Sequence, residues 1–392
     1  MKILHLIHSV NPAHGGTTTA VQTLAGACQA LGHPSLTVTL DAPTAEWKSS
    51  WQTPLHFAGP GHTHYGWSPR LLPALRKLSS DVDLVIVHGL WQFHASAARM
   101  LRQKDGVPYV VAPHGMLDPW ALKQSLLKRI LKTVNWALVT RRVLQEASAF
   151  WFTTENERDS AAPALLGISA DRRVASLGVD APPAAPSVLK SGWQERHPEL
   201  ANRTVLLHLG RLHPKKGCDL LIEGFAAWVN RCAIPRDSWP HLRFAGPPVS
   251  AQYLEHLQRL CARHQLELHR DVTFAGMVTG TAKWQELAAA AALVLPSFQE
   301  NFGLVVGEAM ACGTPALLSD KVNICDLITG AQAGLSAEAS ISGVCSLLER
   351  WFAMDATARS SMQKNAKELY DSRLRPQAAG ESFLKAVTPY AR

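Results

Sequence analysis

No apolar run in this 392-residue sequence approaches the roughly 18–20 residues that a membrane-spanning helix needs. Cysteines are few: Cys28, Cys218, Cys232, Cys261, Cys312, Cys325 and Cys345 form an odd set without a C-x-x-C pair. Such spacing excludes a disulfide framework and a zinc ribbon, and suits small apolar residues in a reducing compartment. Charged residues make up only 18% and hydrophobic ones 47%, so a disordered chain is excluded. Glycine (26) and proline (24) show no period, which removes collagen-like and low-complexity readings. Acidic side chains are the scarcer sign, 31 against 39 lysines and arginines, for a net charge of +8. That excess suits an anionic ligand or surface. No nucleic-acid-binding signature accompanies it, so no nucleic-acid partner is expected. The first residues lack the long apolar core and small-residue cleavage site of a signal peptide, and a cytoplasmic protein is expected.

What is present is alternation. Short β-branched runs at 2–8, 35–40, 84–88, 108–112 and 149–153 are separated by helical patterns such as 17–31 and 94–103. Residues 42–80, rich in Pro, Trp and His, read mostly as loop. The stretch Ala181-Pro182-Pro183-Ala184-Ala185-Pro186-Ser187 suits an exposed linker. Beyond it the alternation restarts, with strands expected at 204–209, 241–246, 271–275, 292–295 and 315–318 and a helical tail from about 340. Strands separated by helices imply right-handed crossovers and parallel sheets covered on both faces. Two doubly wound α/β domains are expected, with ligands beyond the carboxyl ends of their strands.

Four segments follow strands. Gly15-Gly16 precede Thr17-Thr18-Thr19 at a helix start, where backbone can approach an anion, although an ordinary strand–helix turn looks the same. His114 lies in Pro113-His114-Gly115-Met116-Leu117; a lone histidine is equally a structural or solvated one. Arg211 and Lys216, in Gly210-Arg211-Leu212-His213-Pro214-Lys215-Lys216-Gly217, can reach one anionic group across a turn, unless the turn is merely solvated. The sharpest segment runs from Pro296 to Pro315. Glu300 sits in its loop, a helix starts near Gly303, Glu308 falls in the second turn, and Cys312-Gly313-Thr314-Pro315 stops the helix. Both carboxylates can border one helix N-terminus, with the backbone N–H groups of Phe302, Gly303 and Leu304 between them. Carboxylates accept from sugar hydroxyls and a helix end suits phosphate, so the segment fits a nucleotide-sugar.

With these pieces in order, the chain resembles a family 4 retaining glycosyltransferase of the GT-B fold over nearly its whole length. The matching residues are Gly15-Gly16, His114-Gly115-Met116-Leu117, Gly210-Arg211, Lys216-Gly217, and the E-x7-E pair Glu300/Glu308 within Glu308-Ala309-Met310-Ala311-Cys312-Gly313-Thr314-Pro315. The resemblance implies two Rossmann-like domains facing across a cleft: an acceptor-binding domain over 1–183, a nucleotide-sugar-binding domain over 184–375, and a helix over 376–392 crossing back to the first. It implies that Arg211 and Lys216 bind the donor diphosphate with Gly16 and the amides near Gly303, that Glu308 holds the ribose, that Glu300 contacts the transferred sugar, and that His114 lies by the reacting centre. It further implies a UDP- or GDP-sugar as co-substrate with no metal or other cofactor. Asn301 departs from the small residue many relatives carry, which bears on the sugar pocket, and Ser176-Leu177-Gly178-Val179-Asp180 replaces Pro-Asn-Gly-Val-Asp. Asp81-Val82-Asp83 spells a metal-binding D-x-D, but it precedes a strand, at the wrong end for a carboxyl-edge site.

Residues 120–144 carry Lys123, Lys128, Arg129, Lys132, Arg141 and Arg142 without an acidic residue, and apolar residues recur there at helical spacing. A basic amphipathic helix on anionic lipid and a core helix with a solvated face both fit. The membrane reading implies peripheral attachment on the inner face of the cytoplasmic membrane, a glycan or lipid-linked sugar as acceptor, and a step in exopolysaccharide, capsule or O-antigen assembly. The competing readings are a nucleotide-sugar epimerase or hydrolase of the same fold and a non-catalytic sugar-binding protein.

Overall fold

Thirteen strands pair in parallel into two sheets among the residues that the structure, a computed structural model, describes: 1–119, 135–232 and 235–392. The first sheet contains β1 (Ile3–Ile7), β2 (Ser35–Thr39), β3 (Leu55–Phe57), β4 (Leu84–His88), β5 (Tyr109–Ala112), β6 (Ala149–Phe152) and β7 (Asp171–Val174). Its order is β3-β2-β1-β4-β5-β6-β7. The second contains β8 (Val205–Leu209), β9 (His241–Ala245), β10 (Val272–Gly276), β11 (Ala292–Leu295), β12 (Ala316–Ser319) and β13 (Gly334–Ala337), in the order β10-β9-β8-β11-β12-β13. Both are doubly wound Rossmann-like sheets. In each, the strand order reverses beside the unit's first strand, between β1 and β4 and between β8 and β11, and the carboxyl edge there is where such folds bind ligands.

The central strands β1, β4, β5, β6, β8, β9, β11 and β12 are buried along their whole length. Helices cover both faces of a parallel sheet, so a continuous apolar run is what such a strand requires. Strands outside that core escape a sequence reading. β3 has three half-buried residues within the segment expected to be loop, which also forms the helix Leu71–Leu78 with Pro73 in its first turn, where a missing N–H costs little. β7 reads Asp171-Arg172-Arg173-Val174, charged because it lies at a sheet edge.

The chain divides into two units. The N-terminal unit comprises Met1–Gly178 together with Pro376–Arg392, and the C-terminal unit Val179–Arg375. The change of unit thus falls at Gly178/Val179, ahead of 183/184, and the expected linker ends in the helix Pro186–Arg196, because proline fits a first helical position. The helix Pro376–Val387 lies within the N-terminal unit, packing against the helix Gly16–Ala30 and setting Phe383 edge-on to Trp151 at 4.6 Å. Most of 120–144, including Lys123, Lys128, Arg129 and Lys132, lies outside the described residues. No helix among the described residues is long and apolar enough to cross a membrane.

Candidate active site

In the C-terminal unit the loops after β8 and β11 are tied together by their backbones. Phe298 N–H donates to the Lys215 carbonyl at 2.9 Å. Gly217, at φ +66°, lies so close to Pro296 that a Cβ there would stand 2.2 Å from its carbonyl oxygen, so no side chain fits. The loop after β11 is also fixed to the one after β12: Glu300 N–H donates to Lys321 O at 3.0 Å, and Asn323 N–H to Glu300 O at 3.0 Å. Together these contacts bring the Lys216 ammonium onto the Glu300 carboxylate as an ion pair, both side chains about one-fifth to one-quarter exposed (26% and 19%). Burial first, then the cations of Lys215 and Arg211, push the Lys216 ammonium down to about 8. Arg211 is exposed and makes no ion pair among the described residues.

The helix Leu304–Ala311 begins beside this pair. Gly303, at φ +74°, occupies its N-cap and offers no side chain to cap it. Three other helices of the unit are capped by a hydroxyl or carboxylate, from Ser250, Ser340 and Asp355, while Pro186–Arg196, Gly280–Ala289 and Cys325–Gly330 also lack a side-chain cap. A helix start leaves N–H groups unpaired and a partial positive charge, and here the carboxylate nearest to it, Glu300, is already held by Lys216. Glu308 is in the second turn. Helical side chains lean toward the N-terminus, so its carboxylate leans toward the same helix start. It is paired with Lys283, 2.6 Å away on the helix Gly280–Ala289. Phe302 is buried and anchors the turn.

The carboxyl edge of the N-terminal unit is built differently. Gly15, at φ +85°, is likewise an N-cap without a side-chain cap, for the helix that opens with Gly16. The Asp41 carboxylate holds the loop before it, accepting from Ser9 Oγ at 2.7 Å, Val10 N–H at 2.7 Å and Thr39 Oγ1 at 2.9 Å. His114 follows β5 at φ +50°, uncommon for a residue with a Cβ. The next residue is clamped: Gly115 N–H donates to Glu157 Oε1 at 2.7 Å, while Glu157 Oε2 accepts from Thr153 N–H at 2.7 Å and Thr153 Oγ1 at 2.6 Å. Behind His114 stand two more histidines. His114 Nε2 is 3.0 Å from His88 Nδ1, and His88 Nε2 is 3.0 Å from His5 Nδ1. Trp151 meets His88 and His114 edge to face, and its indole N–H donates to Ala175 O at 2.8 Å. Burial pushes the His114 and His94 imidazoles down to about 4 and His5 to about 3, and holds His88 well below the usual range.

The structure therefore gathers Lys216, Glu300, Phe302, Gly303 and Leu304 at one switch point with Glu308 leaning toward it, and sets Gly15, Gly16 and His114 on the other sheet's carboxyl edge. Both Asp81 and Asp83 bond Lys2, one with its ammonium at 2.5 Å and the other with its backbone N–H at 2.7 Å, so the D-x-D carboxylates serve the amino edge. Four residues went unread in the sequence: Lys283, Asp41, Glu157 and His88. Glu157 carried a faint signal, an acidic residue in the first turn after β6. Lys283 carried none, since nothing local marks a lysine that meets a glutamate 25 positions on.

The family model described as "Glycosyl transferases group 1" matches residues 191–369, and the one described as "Glycosyl transferase 4-like domain" matches residues 15–178. Over 279 residues the chain is 28% identical to the alpha-maltose-1-phosphate synthase of Mycolicibacterium smegmatis, covering 67% of this chain and 68% of that protein. It is 34% identical over 140 residues to the D-inositol 3-phosphate glycosyltransferase of Gordonia bronchialis, covering 34% of this chain but only 29% of that protein. Among solved structures, Anabaena HepE in complex with UDP and glucose superposes with a TM-score of 0.76 at 19% identity, over 99% of this chain and 100% of that one. WaaG, a glycosyltransferase involved in lipopolysaccharide biosynthesis, gives 0.67 at 16% identity, over 98% and 99%. At such identities the likeness to solved structures is one of fold.

Proposed function

Since the chain belongs to the glycosyltransferase family of these two matches, we propose that it moves a sugar from a UDP- or GDP-sugar to a glycan or lipid-linked acceptor with retention of configuration. The observation that carries this reading is the glycine-capped helix start at Gly303, flanked by the ion pair Lys216–Glu300 and approached by Glu308. An anionic diphosphate finds there the unpaired N–H groups of Phe302, Gly303 and Leu304, the Lys216 ammonium and the exposed Arg211 guanidinium. Its arrival exchanges partners. Lys216 turns from Glu300 to phosphate, and the released Glu300 carboxylate accepts from hydroxyls of the transferred sugar. Glu308, leaving Lys283 in the same way, accepts from the ribose.

Charge grows on the diphosphate as the glycosidic bond breaks, and Lys216, Arg211 and the helix start offset it without reorganising. His114 donates a hydrogen bond at the reacting sugar or leaving phosphate, and Gly15-Gly16 open the backbone to the donor. No metal enters this scheme. HepE has been seen with UDP, UDP and glucose, and UDP-glucose, which supports a UDP-sugar as the first donor to try. A place in exopolysaccharide, capsule or O-antigen assembly, with residues 120–144 resting on anionic lipid, completes the proposal. Calorimetry with UDP-, GDP-, ADP- and dTDP-glucose tests it. Binding of one donor, weakened about tenfold in Glu308→Gln, is expected from one lost charge-assisted hydrogen bond. If no nucleotide-sugar binds, or Glu308→Gln binds as well as the parent, the donor site is elsewhere.

A further inference from the structure

The row His5–His88–His114 is a hydrogen-bonded chain of rings. Adjacent ring planes differ by only 24° and 19°, with centroids 5.3 Å apart in both pairs. That separation matches an N···N contact of 3.0 Å plus the two ring radii, so the rings lie end to end and nearly coplanar. Burial keeps the three rings neutral, and a neutral imidazole has one donor and one acceptor nitrogen. The chain must therefore run in one direction or the other. Run inward, it leaves His5 Nε2 as an N–H, and that nitrogen is fully buried without a partner among the described residues. Run outward, it leaves only a lone pair there. Buried orphan N–H groups are the rarer and more costly defect, which favours the outward direction.

The outward direction has a consequence at the surface. His5 Nδ1–H donates to His88 Nε2, and His88 Nδ1–H donates to His114 Nε2. The proton of His114 is then on Nδ1, the ring nitrogen that has no partner among the described residues. Trp151, braced by Phe383 and by its bond to Ala175, holds the His88 and His114 planes from the side. His94 is outside the row and steadies its middle member from the backbone, through Nε2–H to the His88 carbonyl at 3.0 Å. Phosphate oxygens only accept hydrogen bonds, so for the nucleotide-sugar reading, on which this inference rests, an Nδ1–H is the useful tautomer. We infer that His88, set by His5, is a positioning residue that fixes His114 with Nε2 as acceptor and Nδ1–H as the donor offered to the ligand. A ligand oxygen accepting at that end further polarises the whole row.

Long-range 1H–15N spectra of the full chain labelled with 15N-histidine report each ring's tautomer, with His114→Gln as the assignment. At about pH 7.5, where unperturbed histidine is mostly neutral, the unliganded chain should show His114 protonated on Nδ1. His88→Phe, which keeps a ring but no nitrogen, should convert His114 to a mixture of both tautomers. His114 protonated on Nε2 in the parent chain, or an unaltered His114 in His88→Phe, overturns the inference. Should His88→Phe fail to fold, His5→Leu breaks the row one ring further back and is expected to release His88 and His114 alike; an unchanged His114 again overturns it. The spectra are recorded without nucleotide, so a failure of UDP to bind would count against the donor-site reading and not against the histidine row.

Discussion

At the carboxyl edge of the seven-stranded sheet the polar groups are neutral imidazoles linked ring to ring, with one nitrogen left over at the surface. At the same edge of the six-stranded sheet they are full charges, Lys216 on Glu300 and Lys283 on Glu308. Both edges serve the same kind of switch point, and both start a helix from a glycine without a side-chain cap. The difference follows from depth. His5 and His88 project from strands that are buried throughout, where a lone charge would be costly and a donor–acceptor row satisfies most nitrogens. The lysines and glutamates stand on loops and helices that keep some contact with water, so their charges persist and stay exchangeable. A neutral row suits orientation; exchangeable ion pairs suit recognition of an anion that displaces them.

Opposite ends of the pH scale should separate the two edges, and acid gives the larger effect. An unfolded chain protonates its histidines below about 6.5, whereas His94 and His114 resist to about 4 and His5 to about 3. Their contribution to stability is complete above pH 6.5 and is lost as pH falls toward 4, by roughly 1.4 kcal/mol per pH unit for each ring. Burial holds His208 on β8 and His241 on β9 down to about 4 as well, so the sheets differ in how many such rings they bury. Hydrogen exchange read by peptide mass should therefore show β1, β4 and β5 losing more protection in acid than β8 and β9. Equal loss in both sheets would remove the distinction.

Next in size is Lys216→Ala. Losing one charge-assisted contact, about 1.5–3 kcal/mol, should weaken UDP binding roughly 10- to 100-fold. In the parent chain the same affinity should decline as pH rises through about 8, where Lys216 loses its charge. Affinity flat from pH 7 to 9.5 would show that Lys216 does not meet the anion. The smallest effect is expected for Lys283→Ala, a few-fold change in UDP affinity upward, because it frees Glu308 without removing any group assigned to the ligand. A large loss would place Lys283 itself on the nucleotide.

The two edges were also unequally legible. Glu300, Gly303 and Glu308 lie within one continuous segment, where spacing along a loop and helix already implies proximity, and the alternation of apolar runs and helical patterns announced two parallel sheets. His114 could be read as a residue after a strand, but not as the end of a row. His5 and His88 sit inside apolar runs, where a histidine looks like any half-polar core residue, and only the parallel register that places β1 beside β4 brings them together. Lys283 and Asp41 were silent for the same reason.

What the sequence alone determined about this protein is therefore everything that depends on neighbours in the chain: the strand runs, the helix stops, the glycine N-caps and the carboxylate pair around one of them. Tertiary structure decided which charges meet, Lys216 with Glu300 and Lys283 with Glu308, and which rings share a proton. Local conformation is dictated by covalent geometry and propensity within a few residues. Ion pairs and hydrogen-bonded rows are instead closed by segments far apart in the chain, and their partners are chosen only when burial forces each buried polar group to find one.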